Sequence, residues 1–203
     1  MLETVLFKLD GYENPKKLVR DFRDLVCKKG IEAVLKQGRY KLDREKWVAG
    51  MTCIGMTKLT GRPWFVKSAD PKEQTPDFRA AAFDTVEDGK YLIWCELECE
   101  IVECPKESIP PNCAEPERVF FDHIEKTKFC KAYPPNFILV IYSQFTCQNF
   151  SLEKLSRLFC DRKPQLSEIW DLTSIFSDDS KYLLAKIFPD RSDVEINHLD
   201  TIS

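Results

Sequence analysis

Residues 91–102 read YLIWCELECEIV, and in an extended chain their side chains alternate between two faces. Ile93, Cys95, Leu97, Cys99 and Ile101 share one face, and Trp94, Glu96, Glu98, Glu100 and Val102 share the other. Same-face neighbours sit about 6.6 Å apart along a strand, so the three glutamates form a row of like charges. Desolvation without compensation raises the pKa of each carboxyl. Water offsets that repulsion, and so does a divalent cation. Magnesium takes oxygen ligands of this kind, often one or two carboxylates plus a substrate phosphate. Upstream, Pro76-Asp77 closes a polar loop just before a second predicted strand, Phe78–Phe83. With Glu87-Asp88-Gly89 as a hairpin turn, counting symmetrically about Gly89 sets Asp77 opposite residues near position 100. A bulge or longer loop moves it toward Glu98 or Glu96. Asp77 and at least one glutamate are then expected to meet around one ion. The competing reading is an antiparallel sheet with one solvated face. Against it, glutamate is a poor strand former, and three in a row without an intervening lysine is unusual. Residue physics alone leaves both readings open.

Other chemistries find less support. Cys95, Cys99, Cys104 and Cys113 are separated by three, four and eight residues, whereas structural zinc favours cysteine pairs two apart. Cys95 and Cys99 alternate with apolar side chains and read as buried thiols. No zinc is therefore expected. The two histidines, His123 and His198, are far apart in sequence, and neither has an evident nucleophile beside it. That argues against Ser/His or Cys/His hydrolysis.

Positioning the acids takes a scaffold, and hydrophobic periodicity predicts one. Asn14 as cap and Pro15 in the first turn open a helix from about Asn14 to Lys36, with Leu18, Phe22, Leu25 and Val26 at helical spacing. Ile31, Val34 and Leu35 continue it past Gly30, and Gly38 supplies the stop. Trp47 to Lys58, with Gly50 and Gly55, reads as an irregular strand, and Trp64-Phe65-Val66 as a short one. Residues 68–76 read as a loop, Tyr91 to Val102 as the strongest strand, and Pro105 to Pro116 as a proline-rich loop. A helix is predicted from Val119 to Tyr133. The apolar run Phe137 to Ser143 (FILVIYS) follows, the signature of a strand buried on both faces. A helix from Leu152 to Cys160, capped by Ser151, and strands Ile169–Ile175 and Tyr182–Phe188 complete the series. The polar tail, 189–203, is expected to fray. This order predicts an α/β (α+β) fold: a mixed central sheet with helices on both faces.

The chain has 203 residues, which predicts a single domain with its core at about 14–188. Hydrophobic residues are 43% and charged residues 31%, enough apolar surface for a sizeable core. Thirty basic residues against thirty-three acidic ones exclude a histone-like polycation. The balance hides a segregation. Residues 28–46 hold seven basic residues against three acids, and residues 84–125 hold twelve acids against three basic residues. Lys28, Lys29, Arg39, Lys41, Arg44 and Lys46 are thus candidates to hold a nucleic-acid backbone. Two solvated surfaces are the plainer account of such charge runs. Tyr40, Trp47, Trp64 and Phe65 lie nearby and are able to stack bases, although Trp64 and Phe65 fit a core better. The N-terminus lacks the pattern of a secretory signal. No stretch approaches the ~18 apolar residues of a membrane span. With an odd count of nine cysteines, these features predict a cytoplasmic protein with reduced thiols and no membrane partner.

Pro76-Asp77, eighteen intervening residues and then Glu96-Leu97-Glu98 resemble the signature of the PD-(D/E)XK nuclease superfamily, the restriction-endonuclease-like fold. The element order resembles it too: a helix before the motif, a hairpin bearing it, then helix, buried strand and helix, over about residues 14 to 188. The resemblance implies DNA phosphodiester hydrolysis with magnesium or manganese held by Asp77 and Glu96. Asp77, Glu96 and Glu98 are then the catalytic set. The family lysine that positions or activates the attacking water is missing, and Glu98 stands in its place, as in some restriction enzymes. Lys126, Lys128 or Lys131 of the following helix is a substitute, Glu100 a further acid, and Glu32 a candidate acid from the first helix, although surface exposure suits Glu32 better. The resemblance leaves oligomeric state open, a homodimer included. The missing lysine equally suits a catalytically inactive protein of this fold that binds nucleic acid or protein.

Overall fold

A computed structural model describes residues 6–7, 11–69, 76–86, 90–105, 108–110, 112–144, 150–174 and 181–201. The expected turn at Glu87-Asp88-Gly89 and most of the predicted 68–76 loop lie outside the described residues. The chain is mixed α and β and divides into two compact units, residues 1–100 with 196–203, and residues 101–195.

The first unit opens with β1 (Leu6–Phe7), α1 (Pro15–Lys29), α2 (Ile31–Lys36), a short 3-10 turn at Gly38–Tyr40, and α3 (Lys41–Thr60). β2 (Trp64–Ser68), β3 (Phe78–Val86) and β4 (Lys90–Cys104) follow as an antiparallel series, with β1 also pairing on β4. Asn14 caps α1 as expected, its side chain accepting the Lys16 N–H at 2.9 Å. The predicted single helix is interrupted at Gly30, whose φ of 82° lies where other residues are strained.

The main correction is α3. The segment Trp47–Lys58, read as an irregular strand, lies within a 20-residue helix. Every residue from Trp47 to Met56 is buried, so this stretch of the helix carries no polar face and hence no helical period to read. Gly50 is there for a close approach to α1: a Cβ would sit 2.9 Å from the Pro15 carbonyl oxygen and 3.2 Å from Val19 Cγ2. The hydroxyls of Thr52, Thr57 and Thr60 donate back to the carbonyls of Val48, Cys53 and Met56, so Thr52 is buried satisfied.

The second unit holds the last residues of β4, then α4 (Pro116–Lys128), β5 (Phe137–Ser143), α5 (Leu152–Arg162), β6 (Glu168–Ser174), β7 (Tyr182–Phe188) and most of β8 (Ser192–Ile196). β5 and β6 pair parallel, and β6 and β7 antiparallel. All seven residues of β5 are buried, as the apolar run requires. Leu139 and Ile141 of β5, Phe120, Phe121 and Ile124 of α4, and Leu155 and Phe159 of α5 form one core. The Glu117 carboxylate is buried beneath it and accepts the Ser151 N–H at 2.6 Å, joining the starts of α4 and α5.

The tail expected to fray carries β8 and a 3-10 turn at His198–Thr201. Ile196 is fully buried, and Asp200 ion-pairs with Lys58 of α3 at 2.8 Å, two anchors that a polar composition conceals. Among the described residues, no helix is long and apolar enough to cross a membrane.

Candidate functional site: the carboxylate face of the hairpin

The β3–β4 register settles what each glutamate meets. Phe78 pairs with Cys99, Arg79 with Glu98, Ala80 with Leu97, and Ala81 with Glu96. Direct partners on neighbouring strands share a face, so Arg79 and Ala81 stand beside the glutamate row. Arg79 uses this position: its guanidinium meets Glu98 at 3.2 Å. The register shifts by one residue between Ala82 and Phe83, where Trp94 is the extra residue of β4 and remains 49% exposed. The Arg62 guanidinium covers the Trp94 ring at 4.2 Å.

Asp77 lies just before β3. Its N–H donates to the Cys99 carbonyl at 2.9 Å, and its own carbonyl accepts from Ala69 at 3.4 Å. The main chain therefore holds Asp77 at the Cys99–Glu100 end of β4. Glu96, opposite Ala81, lies four residues away along the ladder, about 13 Å of strand rise. The structure thus brings Asp77 to Glu100, with Glu98 next along the row, and does not bring it to Glu96. Glu100 is 4% exposed, while Glu96 faces solvent.

Glu96 has a different neighbour. The Tyr12 hydroxyl donates to its carboxylate. Partial burial, then the hydrogen bond to Glu96 and the Glu96 charge, push the Tyr12 pKa well above its ordinary value, so the phenol keeps its proton. Tyr12 also packs edge-on against Phe83 and carries the Lys67 ammonium 5.6 Å above its ring. Lys67 is the β2 partner of Arg79. The face therefore reads, across three strands, Lys67, Arg79, Glu98, with Tyr12 spanning Lys67 and Glu96.

The remaining candidates are dispersed. Glu32 is exposed on α2 and pairs with Lys36 at 3.8 Å along the same helix. Lys126 and Lys128 lie on α4 in the second unit, and Lys131 just beyond it. Lys28 and Lys29 are exposed in the last turn of α1. Arg39 stacks over the Tyr40 ring at 4.8 Å, Lys41 pairs with Glu45 at 3.2 Å, and Lys46 is half-buried. Arg44 is buried, and its guanidinium donates to the carbonyls of Val34 and Gln37 at 3.0 and 3.2 Å, closing the end of α2. Tyr40, Trp47 and Trp64 are buried as well. Cys99 and Cys104 are buried thiols, and burial raises the pKa of both, that of Cys104 to about 12.

Sequence reading missed Tyr12, Arg79 and Lys67 on this face. The signal for Arg79 was present: it stands two residues after Asp77 in a strand, hence on the same side. Tyr12 carried no such signal, because it reaches Glu96 from 84 residues away. A buried pair in the second unit was also missed. Ser143 Oγ donates to Asp171 at 2.5 Å, and burial raises the Asp171 carboxyl to about 7. Among the described residues, no group of three or more His, Cys, Asp or Glu side chains is arranged to hold a metal ion. Compared with known protein families, curated proteins and solved structures, the chain matches none of them.

Proposed function

We propose that this chain is a metal-dependent phosphodiester hydrolase of the restriction-endonuclease-like fold, acting on DNA in the cytoplasm. The acids assigned to the ion are Asp77 and Glu100, with Glu98 beside them in the row and Glu96 displaced from the set. The observation that carries this reading is the Asp77 N–H to Cys99 carbonyl bond at 2.9 Å, which anchors Asp77 beside Glu100 rather than Glu96. The donor chemistry suits magnesium or manganese, since every group is a carboxylate oxygen. A bound ion supplies Lewis-acid polarisation of the phosphate and a more acidic bound water. Glu98 is assigned to accept the proton of an attacking water, a role its carboxylate can fill where the family uses lysine. Lys28, Lys29 and Lys46 are left to contact backbone phosphates, and Arg44 is assigned to the fold.

A second reading has an observation of its own. Glu98 is held by Arg79 and Glu96 by Tyr12, so both of these glutamates already have protein partners. This suits a catalytically silent member of the same fold that binds nucleic acid. Plasmid and single-stranded DNA incubated with manganese separate the two. The hydrolase reading expects cleavage by wild type, reduced at least ~100-fold in Asp77→Ala and in Glu100→Gln and far less in Glu96→Gln. DNA binding without cleavage supports the silent reading. Cleavage that survives Asp77→Ala overturns this site.

A further inference from the structure

We infer that Lys67 and Arg79 form a binding site for a backbone phosphate of nucleic acid, with Glu98 occupying the Arg79 guanidinium until the phosphate displaces it. The inference rests on the nucleic-acid reading above and adds which residues take the phosphate and what competes with it.

The argument starts from the ladder. Lys67 and Arg79 are direct partners on β2 and β3, so two cations stand side by side on one face. Like charges placed directly opposite each other destabilise a sheet unless an anion compensates them. Glu98 compensates one of them: it is the β4 partner of Arg79 and touches it at 3.2 Å. Lys67 reaches the Tyr12 ring instead, with its ammonium 5.6 Å from the centroid. A cation over a ring keeps its charge and its donors available to an incoming acceptor. Its stem runs past Gly11, which holds a φ of 84° and where an added Cβ would lie 3.4 Å from Lys67 Cε.

The Arg79–Glu98 pair is built to exchange. Both side chains remain partly exposed, at 24% and 36%, so neither is locked by burial. Guanidinium binds phosphate in the same forked geometry as carboxylate. A phosphate between Lys67 and Arg79 gains two cations where Glu98 engages one. Displaced, Glu98 keeps its place in the acid row beside Glu100. The pair therefore acts as an internal mimic of the ligand, and removing Glu98 is expected to strengthen phosphate binding, the reverse of what a purely structural salt bridge predicts.

The test measures binding of the intact chain to a fluorescent single-stranded oligonucleotide, in EDTA so that no ion contributes. Thymidine monophosphate and inorganic phosphate serve as competitors. Lys67→Ala and Arg79→Gln should each weaken binding several-fold and lower the slope of log affinity against log salt by about 0.7, the loss of one phosphate contact to a single strand. Glu98→Gln should tighten binding about fivefold. Glu96→Gln removes the same charge from the same face but pairs with Tyr12, so it should change affinity less than twofold. Equal tightening by Glu96→Gln and Glu98→Gln overturns the exchange. Unchanged affinity in both Lys67→Ala and Arg79→Gln overturns the site, while binding by wild type leaves the nucleic-acid reading standing. Competition by thymidine monophosphate or inorganic phosphate as strong as by unlabelled oligonucleotide overturns the backbone assignment in favour of a free ligand. Arg79→Lys, which keeps the charge and loses the fork, should fall between wild type and Arg79→Gln if the variants differ in binding rather than in folding.

Discussion

The two units handle a carboxylate on a strand in opposite ways. On β4 of the first unit Glu96 and Glu98 stand at least partly in solvent and meet a phenol and a guanidinium, while Glu100 at the end of the row is buried. On β6 of the second unit one acid, Asp171, is 1% exposed and bonded to the Ser143 hydroxyl, while the other, Glu168, stands half-buried at the start of the strand. A charge in water with a cation beside it costs little, and its pairing contributes little to stability. A charge sealed between strands costs a great deal, so the group holds its proton instead. The first arrangement leaves carboxylates available to a ligand, whereas the second ties a carboxylate to the stability of the fold.

The contrast breaks most visibly at Asp171. Its folded pKa of about 7 lies above the ordinary 3.8. Between those values the folded protein holds a proton that the unfolded chain has released, so stability is greatest below 3.8, falls as pH rises toward about 7, and levels off beyond it. The full loss is on the order of 4 kcal/mol. Thermal unfolding followed from pH 4 to pH 8 should show that decline in wild type and a much flatter curve in Asp171→Asn. An unaltered curve in the variant removes Asp171 as its cause.

A smaller effect is expected at Ser143. Ser143→Ala takes away the bond that lowers the Asp171 pKa, so the decline should extend to higher pH. Above pH 7 the variant should lose about 1–3 kcal/mol in denaturant unfolding, with less lost at pH 5, where the acid is neutral. Least of all is expected from the Arg79–Glu98 pair. Arg79→Gln should cost under about 1 kcal/mol because the pair is partly solvated. Equal stability losses at Arg79 and Ser143 would erase the distinction between the two regions.

Legibility followed how local each cause is. The alternation of Glu96, Glu98 and Glu100 along one face was readable because it is a property of any extended chain. The approximate pairing of Asp77 with position 100 was readable from hairpin symmetry, and the Cys99 carbonyl bond agrees with it. The strand Phe137–Ser143 needed only its composition. α3 was misread because a stretch of helix buried on every side has no period, and Gly50 looked like a strand irregularity while serving close contact with Pro15 and Val19. Asp171 was passed over inside the strand IWDLTS, where one acid among apolar neighbours gives no indication of its burial.

By itself, then, the sequence determined which residues alternate on β4, that acids line one side of it, and that the FILVIYS run is a buried strand. Those are consequences of covalent geometry and of transfer from water, and no distant contact is needed for them. Tertiary structure alone decided that Arg79 neutralises Glu98, that Lys67 stands behind it, that Tyr12 reaches Glu96, and that Asp77 belongs with Glu100. Each depends on register between strands or on a segment arriving from far along the chain. A shift of one residue in pairing would have given every acid a different neighbour.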